Sequence, residues 1–324
     1  VLLDDVLAQA RTHYRWQASL TQRVLAIVRT LWARVDPADL AGSFAKIFAK
    51  LLDVIAQAQQ QAAAAGSAYV GTALAAQQVI PDPIGAVVAA SLSGIASDGR
   101  RLDNLAALPV IRAKSLIGQG APVTEAMRAA EGQLLMIVST QVADAGRVAA
   151  GMRIAVDRMA AGYERVLTLP SCSRCIVLAG RVYTWSDGFQ RHPRCDCIHV
   201  PVTAGRLGED TGNSPERIFE GMSTAEQNRV FGVAGAESIR RGADIGQVVN
   251  ARQGMVSAGG RKYTTEGVTA RGLAGKRLGQ LRKRPGDRYR SSNVPRLMPE
   301  QILAEADGDR AEAARLLRRF GYIQ

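Results

Sequence analysis

All four cysteines of this 324-residue chain fall within one 26-residue segment, as Cys172, Cys175, Cys195 and Cys197. No other feature limits the fold as strongly. Cys172 and Cys175 form a CxxC, whose turn lets two thiolates face one ion. Cys195 and Cys197 form a CxC, returned to the first pair by the intervening hairpin. Four soft thiolates suit a tetrahedral zinc ion without redox demands, so Zn2+ in a closed structural site is the expected cofactor. His192 and His199 flank the second pair, and three cysteines with His192 also satisfy zinc; both ligand sets stay open. A disulfide framework is less favoured, because Asp4 and Asp5 stand where a signal peptide would carry positive charge and a reducing compartment is expected. A redox CxxC would sit in a βαβ pattern that is not visible here. A catalytic zinc would need a general base nearby, and Asp187 and Asp196 are the only local carboxylates.

Residues 1–168 read as helical. Leu20, Val24, Ile27, Val28, Leu31 and Val35 recur at helical spacing, and Phe44, Ile47, Phe48, Leu51, Leu52 and Ile55 continue it. Asp36-Pro37 places an N-cap before a proline at the first helical position. Breaks are expected at Pro81-Asp82-Pro83, near Asp98-Gly99 and over 118–122. Thr124 then opens a pattern that runs through Leu134, Val138, Val142 and Val156 to Met159, Tyr163 and Val166. That is a helix of about 40 residues, roughly 60 Å long, with Gly132, Gly146, Gly151 and Gly162 marking close contacts or kinks. Aromatics are 5% of the chain and alanine is abundant, which favours packed helices over a β-sandwich. Residues 54–81 lack charge, but Gln57, Gln59, Gln60, Gln61, Gln77 and Gln78 interrupt them, so no membrane span is expected.

Beyond Pro170 the texture changes. Strand-like Arg181–Trp185 and Ile198–Val202 flank the cysteine turns. Ser214 before a proline, and Ser223 with Glu226 as a capping box, start short helices. Residues 254–296 read as loop-like or extended, and helices are expected at Pro299–Ala306 and from Asp309 to Phe320. The fold class is therefore mainly α: a long-helix N-terminal region over 1–168, then a small zinc-stapled α+β domain over 169–324, with its cysteine module at 171–202.

The net charge is +12 and the pI about 10.1, which bears on partners more than on fold. Residues 261–290 hold ten basic and two acidic residues, a local charge of +8. Arg261, Lys262, Lys276, Arg277, Arg282, Lys283, Arg284, Arg288 and Arg290 are the candidate contacts to double-stranded DNA, through phosphates and without sequence preference. Arg271 shares the segment. An acidic protein partner or a solvated loop would also accept this charge.

Cys172-Ser-Arg-Cys175, Gly180-Arg-Val-Tyr183, Phe189 and His192-Pro-Arg-Cys195-Asp-Cys197 together resemble the core of the MuF-like family of minor capsid proteins, which act in head morphogenesis of tailed phages. Ala243-Asp-Ile-Gly246, Thr264-Thr-Glu-Gly267, Arg296-Leu-Met-Pro-Glu300 and Leu316–Tyr322 are similar to the tail of the subset found in actinobacterial phages. The resemblance covers residues 160–324. It implies a structural protein of the virion, made in the host cytoplasm and held inside the phage head. Its implied partners are the portal protein, the major capsid or scaffold protein, and packaged DNA; a membrane is not among them.

In that subset such chains are often labelled capsid maturation protease, which is the alternative function. Proteolysis needs an activated nucleophile with a base. The three histidines are His13, His192 and His199. His13 sits in the polar stretch Arg11-Thr-His-Tyr-Arg and reads as a surface residue, and the other two lie at the cysteines. No GxSxG or HExxH occurs, and Lys114-Ser115 are sequence neighbours with nothing to mark them as a dyad. No catalytic residue is assigned.

Overall fold

The computed structural model describes residues 2–187, 197–209 and 211–324. It is 59% helix and 10% strand, a mainly helical chain with a small sheet content. The chain divides into two compact units: Val1–Thr168 with Gly180–Thr211, and Leu169–Ala179 with Gly212–Gln324.

Unit 1 is built on three long helices, α1 (Leu2–Trp32), α2 (Leu40–Ala75) and, after the short α3 (Leu102–Ala106) and α4 (Leu108–Gly118), α5 (Val123–Val156). The apolar spacing read from the sequence is their shared core. Leu20, Val24, Val28 and Leu31 of α1 meet Phe44, Ile47, Leu51 and Ile55 of α2, and Leu134, Val138 and Val142 of α5 complete the cluster. Ile27 is 47% exposed, on the shoulder of that stripe. Before α2, Asp36 accepts the Ala38 N–H with Pro37 inside the turn, and Asp39 accepts the Gly42 N–H. These two caps satisfy donors that a helix start leaves open.

Helices α2 and α5 pass close to one another at two glycines. A Cβ on Gly66 would stand 2.2 Å from the Gly146 carbonyl oxygen, and one on Gly146 would stand 3.1 Å from that of Ala62. Gly132 and Gly151 face open space, so of the glycines in α5 only Gly146 marks a helix contact. The uncharged stretch is also explained by packing. Buried Gln59 donates to the Ile95 carbonyl and accepts from the Gly94 N–H. Buried Gln77 donates to Pro201 and accepts from Thr203. Among the described residues no helix is long and apolar enough to cross a membrane.

The long helix ends ten residues earlier than its pattern suggests. α5 stops at Val156, and Asp157 turns the chain by accepting the Asp82 and Met159 N–H groups while pairing with Arg153. Tyr163 and Val166 belong instead to strand β1 (Gly162–Val166), the centre of an antiparallel sheet of order β2-β1-β3 with β2 (Val182–Thr184) and β3 (Ile198–Val202). Both neighbours hydrogen-bond to β1, and every residue of β1 is buried. Gly162 sits where a Cβ would meet the Tyr183 carbonyl at 2.1 Å. The two strands expected around the cysteine turns are present.

Unit 2 is made of short elements. α6 (Ser173–Ile176) is followed by α7 (Pro215–Glu220), α8 (Thr224–Phe231), α9 (Val233–Arg240) and α10 (Ile245–Ala251). Ser214 caps α7, and Ser223 with Glu226 forms the expected capping box on α8. Residues 254–296, read as loop-like, contain β4 (Met255–Ala258), β5 (Arg261–Thr264), α11 (Leu273–Leu278), β6 (Leu281–Arg282), β7 (Ser291–Ser292) and β8 (Arg296–Leu297). Strands of two to four residues are too short to show a period. They pair as a sheet of order β4-β5-β8 and a separate β6-β7 hairpin. α12 (Pro299–Glu305) and α13 (Arg310–Arg319) close the chain as expected.

Arg296 organises this unit. It is fully buried. Its guanidinium donates to the Phe320, Glu266 and Gly321 carbonyls and to Gln247 Oε1, and lies 4.0 Å from the Tyr322 ring centroid. Tyr322 in turn donates to the Leu297 carbonyl at 2.8 Å. Burial lowers the Arg296 pKa, and the ring of carbonyl acceptors offsets the lost hydration of the cation. Gly321, at φ 70°, turns the chain after α13 with its backbone against Ala274, the place a left-handed glycine takes after a helix.

Candidate metal and nucleic-acid sites

In unit 2, Cys172 precedes α6 and its Sγ accepts the Cys175 N–H at 3.4 Å. Cys172 is exposed and Cys175 buried. In unit 1, Cys197 is buried immediately before β3, and its carbonyl accepts from Arg147 Nε at 2.9 Å. His199 is buried in β3 with its ring stacked on Tyr163 at 4.5 Å. Cys195 and His192 lie outside the described residues, as do Phe189 and Asp196. Among the described residues no three histidine, cysteine or carboxylate side chains form a metal-sized cluster; that set excludes Cys195. Cysteine thiolates are the soft ligands that a structural zinc ion takes.

The candidate DNA contacts separate into two groups. Arg261, on β5, is ion-paired with Glu305, and Arg277, on α11, donates to the Arg318 and Ile323 carbonyls. Both are committed to the fold. Arg282, Lys283, Arg284, Arg288 and Arg290 are exposed on the β6-β7 hairpin, and no ion pair involves them among the described residues. The tip is built by Arg284-Pro285-Gly286-Asp287. Asp287 N–H donates to the Arg284 carbonyl at 3.1 Å, and Gly286 has φ 88°, as a turn with proline at its second and glycine at its third position requires. Arg271 and Arg288 both lie over the Tyr289 ring, at 4.2 and 5.4 Å, which holds the hairpin's base. Lys262 and Lys276 are exposed nearby in sequence, on β5 and α11.

His13 is not a plain surface residue. It is half-buried, its ring stacked 4.5 Å from Tyr69, and its pKa falls to about 4 through burial first and the Arg147 charge second. Arg147 is itself buried and paired with Asp144 at 3.0 Å. Nothing in the sequence marks Tyr69 or Arg147, apart from the three-residue spacing from Asp144 to Arg147. Lys114 and Ser115 lie on the exposed face of α4, with Ser115 Oγ accepting from Gln119.

No curated protein and no solved structure matches the chain. A family model does, that of the VG15 protein, over residues 6–225. The match takes in the three long helices, the sheet of unit 1 and all four cysteines, and ends within α8, before the basic hairpin. It covers well over half of the sequence, and the chain belongs to the VG15 family of phage proteins.

Proposed function

We propose that the chain is a structural minor capsid protein of a tailed-phage head, of the MuF-like type, bound to the portal and inner head surface and touching packaged DNA. The observation that carries this reading is a phage-family chain that bears an exposed basic hairpin without an ion pair among the described residues, the arrangement expected of a protein meeting DNA phosphates. Mature, DNA-filled particles should therefore retain the protein, measured by quantitative mass spectrometry of purified virions. Its presence in procapsids and loss from mature particles would instead support a maturation protease that clears itself from the head.

The same reading includes one zinc ion on Cys172, Cys175, Cys195 and Cys197, with His192 as the alternative ligand. Zinc would act as a closed structural staple, not as a Lewis acid. Protein purified under reducing conditions should carry about one zinc per chain. Cys195→Ser should lower the zinc content and the melting temperature while leaving most of the helical signal of α1, α2 and α5. Metal-free protein with an unchanged melt would remove zinc from the reading.

A further inference from the structure

Within unit 1, residues of α1, α2 and α5 and the start of β3 line a cleft of about 380 Å³. That volume lies in the range of small-ligand pockets. His13, Tyr69, Arg147 and the start of β3 form one end of the cleft, and Arg29 lies on its α1 wall. Between them Ala18, Leu25, Leu135 and Ala143 supply apolar surface. Its electrostatics are one-sided. Two arginines line the cleft, and among the described residues no carboxylate does. The Asp144 carboxylate that pairs with Arg147 is hydrogen-bonded to Ser97 and is not part of the lining.

The field of Arg147 reaches the cleft despite that pairing, since it is one of the two causes that hold His13 neutral. A neutral imidazole offers one donor and one acceptor. Tyr69, part of the same wall, has a buried hydroxyl with no hydrogen-bond partner. Such orphaned groups are rare, and each calls for an explanation. A positive, partly apolar cleft is suited to a ligand with a flat apolar body and a negative group.

We propose that this cleft binds a small aromatic anion, a carboxylate, sulfonate or phosphate of about mononucleotide size, with its ring system between Leu25 and Leu135 and its charge held by arginine. This goes beyond the capsid role and stands or falls separately from it.

The test uses the full chain and two dyes of one shape. 1-Anilinonaphthalene-8-sulfonate carries the anion; N-phenyl-1-naphthylamine is the same body without it. Fluorescence titration should show saturable binding of the sulfonate at one site per chain, at least tenfold tighter than the neutral dye. Deoxyadenosine monophosphate should displace it. Ala18→Leu and Ala143→Leu, which fill the cleft from opposite walls, should each weaken the sulfonate tenfold or more with circular dichroism unchanged. Using both keeps the test intact if one variant folds poorly. Arg29→Gln should weaken the sulfonate and leave the neutral dye unaffected. Equal binding of both dyes, no saturable binding, or full binding to a folded cleft-filling variant overturns the proposal.

Discussion

Gly66→Ala is expected to destabilise unit 1 by about 2 kcal/mol, although alanine is the better helix former. Two effects of opposite sign compete. In an open helix position the exchange gains about 1 kcal/mol, because glycine loses more backbone freedom on folding. At Gly66 the new Cβ would lie 2.2 Å from the Gly146 carbonyl oxygen, and that atom is backbone, so no rotamer change relieves the overlap. The helices must separate, which loosens the core around Ala62, Val138 and Val142. Gly132→Ala and Gly151→Ala, in open space on α5, isolate the propensity effect and should raise stability by up to about 1 kcal/mol each. Thermal melts by far-ultraviolet circular dichroism should place Gly66→Ala several degrees below wild type and both controls at or above it. A Gly66→Ala melt as high as the controls would falsify the close crossing.

Reversing the charge of the hairpin, by Arg282→Glu, Lys283→Glu and Arg284→Glu, should lower duplex DNA affinity about a hundredfold at physiological salt. The estimate rests on three lost phosphate contacts, each removing about 0.9 from the slope of log affinity against log salt, roughly 2.7 in all. The residues suit the test because none has an ion pair among the described residues, so reversal disturbs no fold contact of the kind that Arg261 and Arg277 make. Titrations on two unrelated duplexes across a salt series should show the same loss and the same flattening on both, since phosphate contacts carry no base information. Unchanged affinity and slope would assign the hairpin to an acidic protein surface, and a loss on one duplex alone would point to base readout.

The long helices were legible because a 31- to 36-residue stripe repeats its spacing many times. The end of α5 was not. Tyr163 and Val166 satisfy the helical spacing from Val156, yet five buried residues between two strands satisfy it equally well. Only the partners decide, and these lie 18 to 40 residues further on, in β2 and β3. Strands β4 to β8 were invisible for lack of length. The basic segment was plain as composition, but which arginines are available was not: Arg261 and Arg282 look alike until Glu305 takes one of them. His13 misled because its neighbours in sequence are polar, whereas its burial comes from Tyr69, a residue of a different helix. Cysteine spacing needs no such partner information to suggest a metal, which is why the zinc expectation came from four residues alone.

The path of the chain between its units has a consequence for how the protein is made. The polypeptide passes from one unit to the other three times, at 168/169, 179/180 and 211/212. Unit 1 is therefore not a module that one cut can release. A fragment ending at Thr168 keeps the helices but loses β2 and β3, leaving both edges of β1 open, and exposed strand edges invite aggregation. On the ribosome the same order holds. The buried faces of Tyr163 and Val166 stay uncovered until β3 has emerged, after the Leu169–Ala179 segment of the other unit has already been synthesised. Nascent chains thus pass through a stage in which an unpaired strand and an unpacked peptide coexist. Dissection of the protein should respect this by excising or linking segments, never by dividing the gene at a single point.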